Sequence, residues 1–186
     1  MARLIHLNGP PGIGKSTIAR RYVAEHPGVL NCDVDVLRTM IGGWESDFVG
    51  AGALIRPAAL AMIPAYLSND RDVVFPQMLV RLEELQRFEA ATRSAGAEFV
   101  EVMLMDERDA AVARFYRRGD GESDAWHGQV RAIVGANGGE SALADYHDGL
   151  LALRALRPGA VVVDSVEGRI DETYRAVLEA LDTTTL

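Results

Sequence analysis

Residues 9–16 read Gly-Pro-Pro-Gly-Ile-Gly-Lys-Ser, and this stretch decides the fold class. It matches the pattern G-x-x-x-x-G-K-[ST], in which a glycine-rich turn wraps backbone N–H groups around a polyphosphate. The apolar run at 4–8 predicts a strand before the loop, and residues 17–24 predict a helix after it. This order places a phosphate at the positive end of a helix. The sequence therefore predicts a binding loop for a nucleoside triphosphate.

The loop positions have separate expected roles in holding ATP and Mg²⁺. Its glycines permit a tight turn and a close approach of the backbone to phosphate. We expect Lys15 to reach the β- and γ-phosphates, Ser16 to hold the metal ion and Thr17 to support the α-phosphate. The predicted nucleotide-binding residues of this segment are Gly9, Pro10, Pro11, Gly12, Ile13, Gly14, Lys15, Ser16 and Thr17.

Chain length, apolar content, net charge and cysteine count limit the classes of protein and of partner that the sequence allows. With 186 residues and 48% apolar composition, the chain is predicted to form one domain over residues 1–186. A formal net charge of −8 disfavours nucleic acid as a partner, because its phosphates attract clustered Lys and Arg. The single Cys32 suits a reducing cytoplasm, and we see no apolar stretch of about 20 residues to span a membrane. We therefore expect a cytoplasmic monomer or homodimer.

Short apolar strands alternate with helices along the chain, which predicts an α/β fold with a five-stranded parallel sheet covered on both faces. Strands are predicted at about 3–8, 29–32, 73–75, 99–105 and 160–163. Helices are predicted at about 15–26, from 33 to 41, at 53–67, 78–96 and 110–118, in one or two pieces over 124–157, and at 170–181. Pro57 is expected to open the third of these helices.

Polar residues follow several of these strands and should meet at one edge of the sheet. Asp35, just past strand 2, can face the γ-phosphate and act as the general base that accepts a hydroxyl proton. The alternative is that Asp33 or Asp35 only caps the helix that follows, and Asp33 fits the capping position better.

Arg114 and Arg118 end a predicted helix directly before Gly119-Asp120-Gly121. Residues four apart share a helix face, so the two guanidinium groups can act together. If residues 118–128 form a short closing lid, these groups can clamp phosphates or stack on the adenine. The alternative is that they are ordinary cations at a helix C-terminus.

The phosphate loop, Asp35 with Arg38 one turn on, and the Arg114 and Arg118 pair together resemble the small P-loop kinases. This group includes nucleoside-monophosphate-kinase-like folds, chloramphenicol phosphotransferase, zeta toxins and gluconate kinase. The resemblance implies a sheet order of 2-3-1-4-5 and a catalytic role for Asp35. It also implies that the loop at 164–168 lies against the adenine, which adds Ser165 to the nucleotide-binding residues.

The segment after strand 3 departs from many members of that group, because it reads Pro76-Gln77 where an acidic residue is common. Residues 73–105 resemble instead the tunicamycin-resistance subgroup, which favours a small-molecule phosphotransferase. Without that acid, Mg²⁺ would be held by Ser16, phosphate oxygens and waters, with Asp33 as a partner of those waters. Gln77 is then a ligand of substrate or water, or simply a polar residue before the next helix.

The resemblance places the acceptor region at about residues 42–67. Its aromatic and polar side chains suit a ring-bearing ligand, although Trp44 and Phe48 can equally cover the core. The predicted substrate-binding residues are Asp33, Arg38, Trp44, Arg56 and Gln77. Trp126 and His127 lie in or just after the lid, where a lone histidine is more typical of a structural or exposed position than of a catalytic one. His6 is expected to be a hydrogen-bonded core residue.

These features together predict an ATP-dependent kinase that phosphorylates a hydroxyl of an antibiotic, a nucleoside or a sugar-like molecule. Lys15, Asp35, Arg114 and Arg118 are its predicted catalytic residues. A non-catalytic or weakly hydrolytic ATP-binding protein that sequesters its ligand remains the alternative. A GTPase would need an Asn-Lys-x-Asp sequence, which the chain lacks. The sequence does not separate an antibiotic acceptor from a nucleotide sugar.

Overall fold

The computed structural model describes residues 1–117 and 125–183, without the side chains of residues 125–127. Within these residues the strands are β1 (Arg3–Asn8), β2 (Leu30–Asn31), β3 (Val73–Phe75), β4 (Glu98–Met105) and β5 (Val161–Asp164). The helices are α1 (Lys15–Glu25), α2 (Val34–Arg38), α3 (Phe48–Leu67), α4 (Leu82–Ser94), α5 (Arg108–Arg117), α6 (Ala125–Ala136), α7 (Glu140–Leu156) and α8 (Ile170–Thr183). Arg118, most of the predicted lid, and the side chains of Trp126 and His127 lie outside the described residues.

The five strands form one parallel sheet in the order β2-β3-β1-β4-β5. In the register, Ile5 of β1 lies opposite Val74 of β3 and Val100 of β4. The predicted fold class and strand order are thus confirmed. Because all strands run in the same direction, the loop after β1 and the segments after the other strands meet at the carboxyl edge.

Helices cover both faces of the sheet, and each face has its own apolar core. Successive side chains of a strand point to opposite faces, so Leu4 and Ile5 belong to different cores. Leu4 packs in the core formed with α3, α4 and α7, and Ile5 in the core formed with α1 and α8. The result is the three-layer arrangement that the strand pattern predicts.

Helix α3 begins at Phe48, so the predicted start near residue 53 and the opening role of Pro57 are wrong. Asp47 occupies the N-cap position, and its side chain accepts a hydrogen bond from Gly50 N at 2.8 Å. This cap starts the helix earlier and leaves Pro57 inside it. Helix α3 is also long and apolar enough to cross a membrane, contrary to our expectation. A single helix of this kind is weak grounds for a membrane, since core helices of soluble proteins meet the same criterion.

Helix α4 begins at Leu82 rather than near residue 78. The cause is Asn8, whose side chain binds both backbone polar groups of Leu79 at 2.9 and 3.0 Å. Because these groups are engaged by a side chain, the segment before Leu82 stays extended. The predicted helical region at 124–157 contains two helices, α6 and α7, which are separated at Gly138 and Gly139.

Candidate functional site

The glycines of the loop after β1 have backbone conformations that other residues rarely adopt. Gly9, Gly12 and Gly14 have φ angles of 143°, 81° and 110°. A Cβ on Gly9 would lie 2.4 Å from the carbonyl oxygen of Leu104 on β4. The loop can therefore pack against the sheet only with glycine at this position. Gly14 is the N-cap of α1, so the loop leads directly to the positive end of that helix.

The Lys15 ammonium lies over the loop and donates to the carbonyl oxygens of Gly9 and Pro10 at 2.7 and 2.9 Å. An ammonium held by two backbone carbonyl oxygens of the loop fits a polyphosphate, which offers stronger anionic acceptors for the same donors. Ser16 and Thr17 follow in the first turn of α1. The residues present thus fit a nucleotide and its metal ion.

Ser165 supports the loop from the side of β5. Its hydroxyl donates to the carbonyl oxygen of Ile13 at 2.8 Å, and its amide donates to that of Met105 at 2.7 Å. The residue is only 1% exposed. Ser165 is therefore joined to the phosphate loop, and its hydroxyl and amide both donate to protein backbone.

Arg114 of α5 lies next to the loop, where the sequence predicted a clamp. It donates to the carbonyl oxygen of Ser165 at 2.6 Å, and its Nη2 is 3.3 Å from the position of a Cβ on Gly14. Arg117, one turn further on, pairs with Glu167 after β5. Its spacing of three from Arg114 places the two arginines on one helix face.

The two aspartates after β2 have different surroundings. Asp33 is buried and caps α2, accepting from Asp35 N at 3.0 Å. The Asp35 side chain is 37% exposed, yet partial burial and the neighbouring Asp33 charge raise the pKa of its carboxyl group to about 6. Lys15 is among the cations that oppose this rise, so Asp35 lies within electrostatic reach of the loop.

Arg38 is buried between α2 and α3. Its guanidinium lies 4.0 Å from the ring centroid of Phe48, and Nη2 is 3.6 Å from Oδ1 of Asp35. A Cβ on Gly52 would be 3.0 Å from the same Nη2, so the glycine leaves room for the guanidinium. The Trp44 ring is 6.4 Å from that of Phe48. The structure thus brings Asp35, Arg38 and Trp44 to one side of the loop.

The other two predicted substrate-binding residues are Arg56 of α3 and Gln77, which follows β3. Arg56 is exposed, 3.9 Å from Glu84, and contributes to the positive field at Asp35. The Gln77 carbonyl oxygen accepts from Nε2 of His6 at 2.8 Å. Its side-chain oxygen is buried without a hydrogen-bond partner among the described residues, which suits a ligand or water. Burial lowers the pKa of His6 to about 4, and the ring is a neutral core residue, as expected.

Sequence reasoning missed Asn8, the last residue of β1. It is fully buried, and its Oδ1 accepts from the amides of Gly9 and Leu79 at 2.9 and 3.0 Å. Its Nδ2 donates to the Leu79 carbonyl oxygen at 2.9 Å. Asn8 therefore joins the phosphate loop to the segment after β3. The available signal was a polar residue at the end of an apolar strand.

Comparison with known proteins agrees with this geometry. A family model described as an AAA domain matches residues 4–134, well over half of the chain. None of the curated proteins matches it in sequence.

Several solved structures share the fold at low sequence identity. A gluconokinase from Sinorhizobium meliloti 1021 is 20% identical, with a TM-score of 0.63 over 97% of this chain and 91% of that one. A tunicamycin resistance protein of Deinococcus radiodurans is 16% identical, with a TM-score of 0.57 over 100% and 97%. A candidate kinase from Chloroflexus aurantiacus J-10-fl is 14% identical, with a TM-score of 0.65 over 99% and 96%. The chain belongs to the AAA domain family and has the P-loop fold of these kinase-like proteins.

Proposed function

We propose that the protein is an ATP-dependent phosphotransferase that moves the γ-phosphoryl group to a hydroxyl of a small molecule. The observation that carries this proposal is Asp35, a partly exposed carboxyl group with a raised pKa, within electrostatic reach of Lys15. A general base works best when its pKa is near the working pH, and a base is needed when the acceptor is a hydroxyl.

The loop and Lys15 would hold the phosphates, and Ser16 would hold Mg²⁺. The metal ion, when bound, neutralises charge on the β- and γ-phosphates. Arg114 would stabilise charge on the transferring group from the α5 side, and Arg118 stays a predicted second cation. Asp35 would accept the acceptor's proton as its oxygen approaches phosphorus. Positioning and charge stabilisation, rather than covalent chemistry, would supply most of the rate.

The acceptor would lie beside Asp35, near Trp44, Arg38, Arg56 and the side-chain oxygen of Gln77. Aromatic, cationic and acceptor groups together suit a polar molecule with several hydroxyls. The names of two structural neighbours suggest gluconate and tunicamycin as the first acceptors to test. We therefore expect the acceptor to be a small metabolite or an antibiotic that is present in the cytoplasm.

The test is ADP production from Mg-ATP with a panel of sugars, sugar acids, nucleosides and hydroxyl-bearing antibiotics. We expect one class to stimulate turnover, and Lys15→Ala to abolish it. Asp35→Asn should abolish transfer and keep ATP binding. Asp109→Asn is the matched control, because Asp109 also lies in the first turn of a helix, α5, but is not placed in the site. Full turnover by Asp35→Asn would exclude Asp35 as the base.

The segment after β3 favours one alternative function. It carries Pro76 and Gln77 where a metal-binding acid is common, so the metal ion would have fewer protein ligands. A protein that binds ATP, hydrolyses it slowly and sequesters its small-molecule ligand fits this feature. Tight ATP binding without stimulation by any compound of the panel would favour this function over phosphotransfer.

A further inference from the structure

Helix α6 contacts the region where we expect the acceptor to bind. The side chain of Gln129 on α6 donates from Nε2 to the backbone carbonyl oxygen of Glu45 at 2.8 Å. Glu45 belongs to the segment between α2 and α3, residues 39–47, which we call the acceptor loop. The two residues are 84 positions apart in the sequence, so this contact joins distant parts of the chain.

The backbone of the acceptor loop forms turns of its own. The amides of Trp44 and Ser46 donate to the carbonyl oxygens of Ile41 and Gly43 at 3.2 and 3.0 Å. These bonds lie within the loop, so they determine its shape but not its position against α6. The hydrogen bond from Gln129 is made between separate elements and therefore helps to fix where the loop lies.

The position of the acceptor loop affects the side chains around Asp35. The Trp44 ring of the loop lies 6.4 Å from the Phe48 ring, and the Arg38 guanidinium lies 4.0 Å from the same ring. Nη2 of Arg38 is in turn 3.6 Å from Oδ1 of Asp35. A displaced loop would move Trp44 relative to these side chains, where the acceptor is proposed to bind.

Helix α6 is itself held on the phosphate side of the molecule. Val134 of α6 and Phe115 of α5 belong to one apolar cluster. Arg131 of α6 donates to the carbonyl oxygen of Tyr116 on α5 at 2.7 Å. The Cα of Phe115 lies 3.3 Å from the position of a Cβ on Gly12 in the phosphate loop. Together α5 and α6 therefore connect the phosphate loop to the acceptor loop.

We propose that Gln129 is a positioning residue for the acceptor: its hydrogen bond to Glu45 holds the acceptor loop against α6 and keeps Trp44 beside the acceptor. This inference rests on the proposed phosphotransfer, since it concerns the same site. The net contribution of one neutral hydrogen bond changes an equilibrium constant by about two- to tenfold. The contact should therefore change acceptor binding by a factor of that order.

Gln129→Leu is the test, because leucine has a similar size, carries no charge and cannot donate. Steady-state kinetics use Mg-ATP with gluconate, with tunicamycin and with any further compound of the panel that stimulates turnover. We expect the KM for the acceptor to rise about three- to tenfold. The KM for ATP and kcat should stay within about twofold of wild type, because Gln129 acts on acceptor binding and not on the reacting groups. Gln86→Leu is the control, at an exposed position of α4.

Hydrogen–deuterium exchange of residues 39–47 tests the contact without turnover. The amides of Trp44 and Ser46 should exchange at least about twofold faster in Gln129→Leu than in wild type, because the loop loses its contact with α6. In Gln86→Leu the same amides should exchange at the wild-type rate.

Three results would overturn the inference. They are an unchanged KM for the acceptor in an active Gln129→Leu enzyme, an equally large change in kcat or in the KM for ATP, and unchanged exchange of the acceptor loop. Failure of the proposed function gives a different result, namely a wild-type protein that phosphorylates no compound of the panel. The exchange rates would then still decide whether Gln129 holds the acceptor loop.

Discussion

At the scale of single residues, the raised pKa of Asp35 would suit a general base, but it lowers the free energy of unfolding near neutral pH. Burial and the Asp33 charge raise the pKa of its carboxyl group to about 6, so the folded protein holds this proton more tightly than the unfolded chain. A raised pKa contributes stability that is fully present below about pH 4, the ordinary pKa of Asp, and is lost as pH rises through about 6.

The first prediction follows from this sign. Asp35→Asn removes the charge that is costly to bury, so its unfolding temperature should exceed that of wild type at about pH 7.5. Below about pH 4 the two should coincide, because the wild-type carboxyl group is then neutral in both states. Differential scanning calorimetry at several pH values measures the difference. A stability difference that stayed constant with pH would contradict the assignment of a raised pKa.

Gly52 supplies the second prediction, because its missing side chain makes room for Arg38. In a helix, Gly→Ala gains up to about 1 kcal/mol where space is available. Gly135 in α6 has that space, with no atom within 4 Å of an added Cβ, and Gly135→Ala should show the gain. Gly52→Ala should gain less, because the guanidinium 3.0 Å away must shift. Urea denaturation compares the two variants, and equal gains would show that Arg38 moves at no cost.

At the scale of secondary-structure elements, one side chain connects β1 to the extended segment that precedes α4. Asn8 satisfies the backbone of Leu79 and the amide of Gly9 at once. Asn8→Ala leaves these buried groups without partners and should lower the free energy of unfolding by about 2–4 kcal/mol.

Asn69→Ala is the control for this third prediction. Asn69 also donates to two backbone carbonyl oxygens, at the exposed end of α3, so its loss should cost no more than about 0.5 kcal/mol. Denaturation with urea gives both values. Similar losses in the two variants would mean that Leu79 finds other partners when Asn8 is removed.

At the scale of the whole molecule, Arg157 joins elements that are far apart in the sequence. It follows α7 and pairs with Glu101 of β4 at 3.0 Å and with Glu89 of α4 at 2.9 Å. The Glu101 side chain is 2% exposed, and burial raises the pKa of its carboxyl group even with Arg157 beside it. Loss of the cation would leave this group without its counter-charge.

The fourth prediction compares the two arginines that contact Glu89. Arg157→Leu should cost about 3–5 kcal/mol, because it leaves a buried carboxylate unpaired. Arg93 also pairs with Glu89, at 2.7 Å, but its side chain is 74% exposed, so Arg93→Leu should cost less than about 1 kcal/mol. Guanidinium denaturation measures both. A small effect of Arg157→Leu would show that water or protonation compensates for Glu101.

Local patterns predicted the larger part of the fold. The phosphate loop, the alternation of strands and helices and the sheet order depend on residues close in sequence or on the resemblance to P-loop kinases. The start of α4 could not be predicted, because it depends on Asn8, 71 positions before Leu79. The start of α3 was predicted from Pro57, because proline is common in the first turn of a helix. In the structure the helix begins earlier, after the side-chain cap of Asp47, and Pro57 lies inside it. The contact between Arg38 and the Phe48 ring could not be predicted either, because it depends on how α2 and α3 pack against each other.

The loop of residues 9–14 is held from two sides, by Asn8 at its first amide and by Ser165 at the Ile13 carbonyl oxygen. Its shape is thus fixed by neighbours on β1 and after β5 rather than by whatever it binds. Little chain entropy then remains to be lost when phosphate arrives, and the loop is preorganised for its ligand. Most of the affinity for a nucleotide should accordingly come from the phosphates, and inorganic tripolyphosphate should compete with ATP for this loop.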